Sequence, residues 1–372
     1  MSNTERPQLS LQQVQEILRR DKERKARELE EVREAVAASD VPLPAMLLQK
    51  ILGLFHRDAE SVMRSHAGFA LFERRAHYRA SLSIMYQSLD DLDAALTEFE
   101  ALAKTENAEI LRYHNRERLQ EIESRIQKEM FATANAAASL VDHVRRLQSR
   151  VLIPAFAERL RSSFGDSGLH DLIIGLRVLL HHLHIVRAGW NISTDYAAGT
   201  RTAGFSIDRA ELERALDAAG DRFQGNQGEP IRRCIGSLPE KIDLRDLFES
   251  YRTCLDEFYG WFDVQIQTQA PPALLDYDRC MLEKKRSDTR MMWNALIGNW
   301  LQWRAVPDVH SRLPDYITEE QLRAVNELPR NSREQVDLIV RFIDEDGAAD
   351  DSIRAKIYQL FERLAEQEGQ GK

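Results

Sequence analysis

Cysteine is nearly missing from this sequence: Cys234, Cys254 and Cys280 are the only three in 372 residues, and no two form a C-x-x-C pair. That excludes a disulfide framework and a cysteine zinc site, and it fits a reducing, cytoplasmic setting. Glycine and proline are scarce, at 17 and 11, too few to punctuate an all-β chain at every turn. No apolar run reaches the roughly 18 residues that a membrane span requires. The opening MSNTERPQLSLQQVQ is too polar for a signal peptide. A soluble protein with no membrane partner is therefore expected. A basic surplus is missing as well. A net charge of -9 argues against a cationic coat for nonspecific nucleic-acid binding and leaves room only for a local basic site.

What is abundant is Leu, Ala, Glu, Arg and Gln, in a chain that is 43% hydrophobic and 30% charged. That balance is ample for a core and favours helix nearly everywhere. The pattern predicts an all-α protein, a helical bundle with long antiparallel helices and one small β-hairpin. Three regions follow from it: a charged N-terminal helix in 1–40, a bundle in 41–305, and short helices in 306–372. In the first, RRDKERKARELEEVRE mixes acids and bases at spacings of three and four, which suits an exposed helix or an arm for a protein partner. DVPLPAMLLQKILGLF then opens an amphipathic helix whose Met46, Leu47, Ile51, Leu54 and Phe55 are expected to dock on the core.

Leu92, Leu96, Phe99 and Leu102 keep helical spacing, as do Ile110, Leu119, Ile122 and Ile126. They predict an antiparallel helix pair turning near Lys104 to Asn107. Two short runs of β-branched and aromatic residues around AAGTRTAG predict a hairpin near 192–206. Asp208, with Glu211 three residues on, has the look of a capping box. KIDLRDLFESYRTCLDEFYGWFDVQIQTQ reads as one helix, its stripe of Phe248, Tyr251, Phe258 and Trp261 or Phe262 belonging to the core. The tail after Thr318 reads as two or three short helices, with the acidic link DEDGAADD between the last two.

One stretch does not fit a plain core helix. GLHDLIIGLRVLLHHLHIVRAGW, residues 168–190, sets Arg177, His181, His182 and His184 into a leucine-rich run, with His170 just ahead. On a helix, His170, Arg177, His181 and His184 fall within about 60° of one another. His182 lies on the flank beside Asp171 and Gly175. Three readings compete for this polar seam. The side chains are structural and paired with neighbouring helices; or His181 and His184 hold a metal, although no carboxylate ligand stands beside them; or Arg and His together handle phosphate, the first as a permanent planar cation and the second as a proton carrier near neutral pH.

FGDSGLHDLIIGLRVLLHHLHI resembles the signature of the HEPN superfamily, helical bundles in which an Arg, four to six intervening residues and a His mark the active helix. Arg177, four residues and His182 fit that spacing. FATANAAASLVDHVRRLQSR and IDLRDLFESYRTCLDEFYGWF are similar to the helices before and after the motif in uncharacterised bacterial HEPN-like proteins, so the resemblance spans roughly residues 85 to 305. It implies a metal-independent endoribonuclease with no cofactor, of toxin-antitoxin or antiviral-defence type. The resemblance implies too that RNA is the substrate and that a homodimer sets two motifs face to face. In that chemistry, His182 exchanges protons with the RNA 2'-hydroxyl or the leaving 5'-oxygen, and Arg177 stabilises the phosphorane charge. The alternative is a non-catalytic module for dimerisation or for binding RNA or protein. Val178 stands where active members often carry a polar residue after the Arg. His181, His184, His143 and Arg146 are secondary site candidates. From Arg145 to Trp190, seven arginines face three acids, the asymmetry an RNA-facing cleft would want.

Overall fold

The computed structural model describes residues 10–104, 110, 112–165, 167–183, 188–195, 200–220, 223 and 228–370. The fold is all-α with one small antiparallel sheet, and the chain divides into two compact units: residues 71–271 form a middle unit, and residues up to 70 together with those from 272 form a terminal unit. The region 41–305 expected as one bundle is thus distributed over both.

The terminal unit opens with α1 (Leu11–Ala37), started by a Ser10–Gln13 capping box. Its first half is solvated and laced with ion pairs such as Arg19 with Glu16 and Glu23. Only Val36 is fully buried. α2 (Ala45–Leu52) and α3 (His56–Met63) follow as two short helices rather than one. The break alters which side chains dock: Leu48 and Ile51 are buried, whereas Met46 and Phe55 stand 81% and 82% exposed. α11 (Pro272–Trp300), α12 (Glu319–Asn326), α13 (Arg333–Ile343) and α14 (Asp351–Gln370) complete the unit. Their core gathers Ile297, Val325, Val336, Ile339, Ile353 and Phe361. The link between α13 and α14 is the acidic one. Its Asp344 carboxylate accepts from the backbone N–H of Ala348 at 2.7 Å and of Ala349 at 2.9 Å.

The middle unit is built on α4 (Phe69–Ala103), α5 (Arg116–Val151) and α10 (Leu244–Thr268). Contacts between α4 and α5 run in opposite chain directions, Glu98 with Arg125, Ser88 with Thr133, and Ser81 with His143. Those between α4 and α10 do the same, from Arg245 with Glu100 to Tyr78 with Asp263. Both neighbours are therefore antiparallel to α4. The aromatic stripe of α10 lies in the core, where Phe258 stacks on Phe262 at 5.9 Å and Phe262 meets Tyr78 edge-on at 5.3 Å.

Pro154 prevents α5 from continuing. Leu152 and Ala155 turn through left-handed backbone, at φ 53° and 57°, and the Gln148 amide bonds both the N–H and the C=O of Ile153 across the corner. α6 (Phe156–Phe164) and α7 (Leu169–Leu183) follow. Leu172, Ile173, Leu176 and Leu179 of α7 are wholly buried.

β1 (Gly189–Asp195) and β2 (Thr200–Asp208) form the expected hairpin, with Trp190 opposite Phe205. A third strand, β3 (Lys241–Asp243), pairs antiparallel with β2, over residues whose pattern reads as the start of a helix. Three residues are too short to carry alternation, and Asp243 immediately caps α10 through the N–H groups of Arg245 and Asp246. α8 (Arg209–Ala219) starts where Asp208 indicated, but the Asp208 side chain makes no capping bond. α9 (Gly228–Ser237) packs against α7.

Candidate functional site

Glycine lets α9 come close to α7. A Cβ on Gly168, at φ 76°, would sit 2.1 Å from the Pro230 carbonyl, and one on Gly175 would sit 2.8 Å from Ile231 Cδ1. With α9 held on that side and α5 on the other, the polar arc of α7 faces a cleft. The cleft has two lobes that share Val141, Arg145, His170 and Asp171. The wider lobe, about 490 Å³, is bordered by Asp142, Arg177 and Phe223. The narrower, about 310 Å³, is floored by Phe156, Phe164 and Phe258 and edged by Arg161 and Arg233.

Four arginines thus stand round two carboxylates and one imidazole. Among the described residues, Arg145, Arg177 and Arg233 make no hydrogen bond or ion pair, and neither does Asp171. Burial raises the Asp171 pKa, and Arg145 and Arg233, near enough to oppose that rise, do not cancel it; neither bonds to it. A structural arginine in a helical seam would be expected to have closed that gap. Arg177 is exposed, so the bland reading of it as a buried cation tied to a neighbouring helix does not hold.

His170 lies between Phe164, 4.4 Å away ring to ring, and Tyr251, whose hydroxyl is 3.1 Å from Nδ1. Burial, with Arg145 adding to it, pulls the ring down to about 4, so the imidazole is neutral at pH 7. Burial also raises Tyr251 well above its ordinary value. That hydroxyl keeps its proton, and because His170 Nδ1 is its one hydrogen-bond partner among the described residues, it donates there and leaves Nε2–H as the free donor of the ring.

The sequence candidates separate. Arg177 borders the wider lobe. Residues 181 and 182 lie in the last turn of α7; their side chains, and the whole of His184, lie outside the described residues. His143 and Arg146 belong to the other face of α5. His143 Nδ1 bonds the Ser81 hydroxyl of α4, and burial, Arg146 and His77 lower its pKa. The Arg146 carbonyl accepts from Arg74 at 3.2 Å. Asp171, Arg161 and Arg233 were not singled out in the sequence. Arg145 and Arg161 were present in the local charge excess, but Arg233 sits far along the chain and only the close packing of α9 brings it in.

A different cluster has the elements of a metal site. His66, Asp276 and Cys280 are buried in the terminal unit with their ligand atoms within 4.8 Å of one another. Its donors are already committed. Asp276 accepts from Leu43 N–H at 2.7 Å, from His66 Nε2 at 3.2 Å, and from Arg279 at 2.7 and 3.0 Å. Gly68 N–H donates to His66 Nδ1 at 3.0 Å, so the proton of the ring is on Nε2, the atom a metal would need. The cluster is a polar latch holding the extended segment at Leu43 to α11.

The chain matches no protein-family model, no curated protein and no solved structure. No helix among the described residues is long and apolar enough to cross a membrane.

Proposed function

We propose that the middle unit handles RNA: the cleft beside α7 grips the phosphodiester backbone, and Arg177 and His182 cleave it without a metal. The observation that carries this reading is the convergence of Arg145, Arg161, Arg177 and Arg233 on one cleft, in a chain whose net charge is -9. None of the four has a carboxylate partner among the described residues. Such guanidinium groups offer planar, paired donors to phosphate oxygens. In the proposed reaction a histidine takes the 2'-hydroxyl proton, O2' attacks phosphorus, and the P–O5' bond breaks. A second histidine, His182 of the other subunit in a homodimer with facing motifs, returns a proton to O5'. Arg177 stabilises the extra negative charge on the phosphorane. The HEPN resemblance supplies the roles of Arg177 and His182, the homodimer, and a toxin or defence setting in the cytoplasm.

The test is incubation of the purified protein with structured and unstructured RNA in the presence of a chelator. Cleavage leaving a 2',3'-cyclic phosphate is expected. Arg177→Ala and His182→Ala should each reduce it by about 100-fold or more, with the melting temperature unchanged. Wild-type protein inert towards every RNA, with both variants destabilised, would overturn the reading. A second reading, RNA binding without cleavage, is favoured by Val178 after Arg177. It keeps the same cleft and has RNA retained but uncut.

A further inference from the structure

The narrower lobe differs from the rest of the cleft. Its floor is aromatic and aliphatic, with Phe156, Leu160, Phe164 and Phe258, a surface that phosphate has no use for. Its volume of about 310 Å³ falls at the small end of ligand pockets, roughly 300 to 1,000 Å³. His170 and Asp171 line it, and Arg145, Arg161 and Arg233 rim it. An unstacked nucleobase needs flat apolar walls, polar groups matched to its edge, and cations placed for the attached phosphate.

The polar groups present make a definite pattern. Tyr251 occupies His170 Nδ1 at 3.1 Å, so the ring offers an Nε2–H donor. Asp171 offers only acceptors when ionised, and among the described residues nothing bonds to it. One donor beside a two-oxygen acceptor complements guanine, whose O6 accepts and whose N1–H and N2–H2 donate. Adenine presents the opposite pattern, an N6–H2 donor beside an N1 acceptor. Cytosine and uracil each lack the paired N–H donors that would satisfy both carboxylate oxygens.

We propose that the lobe formed by α5, α6, α7 and α9 is a base pocket for an unpaired guanine, with Asp171 and His170 reading its edge and Arg145, Arg161 and Arg233 holding its phosphate. The proposal rests on the RNA reading for its setting, since the lobe opens into the cleft where the backbone would run. It adds the identity of the base. Asp171 is a specificity-determining residue in it and has no part in the cleavage chemistry.

The experiment is calorimetric titration of the full-length protein with GMP, AMP, CMP and UMP, with inorganic phosphate as the base-free arm. Short unpaired RNAs of single-base composition are measured alongside. GMP should bind at least about tenfold more tightly than AMP, in line with the penalty for leaving a base-reading group unpaired. Asp171→Asn, which reverses part of the acceptor pattern, should abolish that preference while leaving phosphate binding unchanged. Arg233→Gln, at the exposed rim, should weaken all four nucleotides alike, which keeps the test sound if Asp171→Asn fails to fold. Four equal nucleotide affinities, or a guanine preference that survives Asp171→Asn in folded protein, would overturn the pocket. RNA bound without base preference overturns it too, and leaves the RNA reading intact. Guanine nucleotide bound while no RNA binds supports the pocket and overturns the RNA reading.

Discussion

Two sets of arginines in the middle unit are handled in opposite ways. On α10, Arg245 reaches Asp93, Thr97 and Glu100 of α4, and Arg252 reaches Asp90. Each is a cation spent on joining two helices. Round the α7 cleft, Arg145, Arg177 and Arg233 have no such partner among the described residues, and Asp171 feels the charge of Arg145 and Arg233 without bonding to either. The same side chain is glue in one place and open in the other. Many arginines of the chain, from Arg19 to Arg354, pair with nearby carboxylates; what marks the cleft group as functional is that its arginines lack such partners among the described residues and also line one cleft.

Gly168→Ala puts a Cβ into the Pro230 carbonyl at 2.1 Å with φ at 76°, and should cost about 3 kcal/mol or more by forcing α9 off α7. A melting temperature near wild type would mean that the two helices are not so closely packed. A smaller effect sets the two regions apart by pH. The ring of His170 titrates near 6.5 when unfolded and at about 4 when folded. Its contribution is complete above about pH 6.5 and is lost as pH falls towards 4, because the unfolded chain takes up the proton first. Allowing for partial solvent access, that is about 2 kcal/mol. Urea denaturation at about pH 7.5 and about pH 5 should show rather more than half of this loss in the wild type and a shallower one in His170→Gln.

Arg245→Ala should destabilise by about 1–2 kcal/mol, through loss of charge-assisted bonds in a partly buried network. Arg177→Ala and Arg145→Ala should each stay within about 0.5 kcal/mol, as exposed residues away from such features do. Chemical denaturation of the three variants checks both halves. The smallest effect is at the corner before α6, where Leu152 is exposed and left-handed. Leu152→Gly should stabilise by about 0.5–1 kcal/mol by relieving that backbone.

Long helices were legible because their signal repeats. The apolar spacing through Ile122 and Ile126, and through Phe248, Tyr251 and Phe258, needs only local geometry to be read, and those residues are buried as expected. What escaped depends on partners distant in sequence. β3 is a strand only because β2 lies alongside it. α2 and α3 part at Leu52, where no proline marks the break. The site divides in the same way. Arg177 and the polar arc of α7 follow from the 3.6-residue repeat, and Arg145 and Arg161 from local charge. Arg233 enters only through Gly168 and Gly175, whose lack of a side chain admits α9. His143 and Arg146 were grouped with the site by proximity in sequence, but helical rotation turns His143 towards Ser81 on α4.

The most direct measurement of the central claim is RNA affinity against salt concentration for two multiple variants of the full chain, each verified as folded. Replacing Arg145, Arg177 and Arg233 together by Ala should weaken binding at least about tenfold and lower the slope of log affinity against log salt by about 2, for three lost phosphate contacts on a single strand. Replacing Arg245 and Arg252 together should leave both quantities unchanged. If the two variants bind RNA alike, with equal salt slopes, the cleft arginines do not hold the phosphate backbone and the account is wrong.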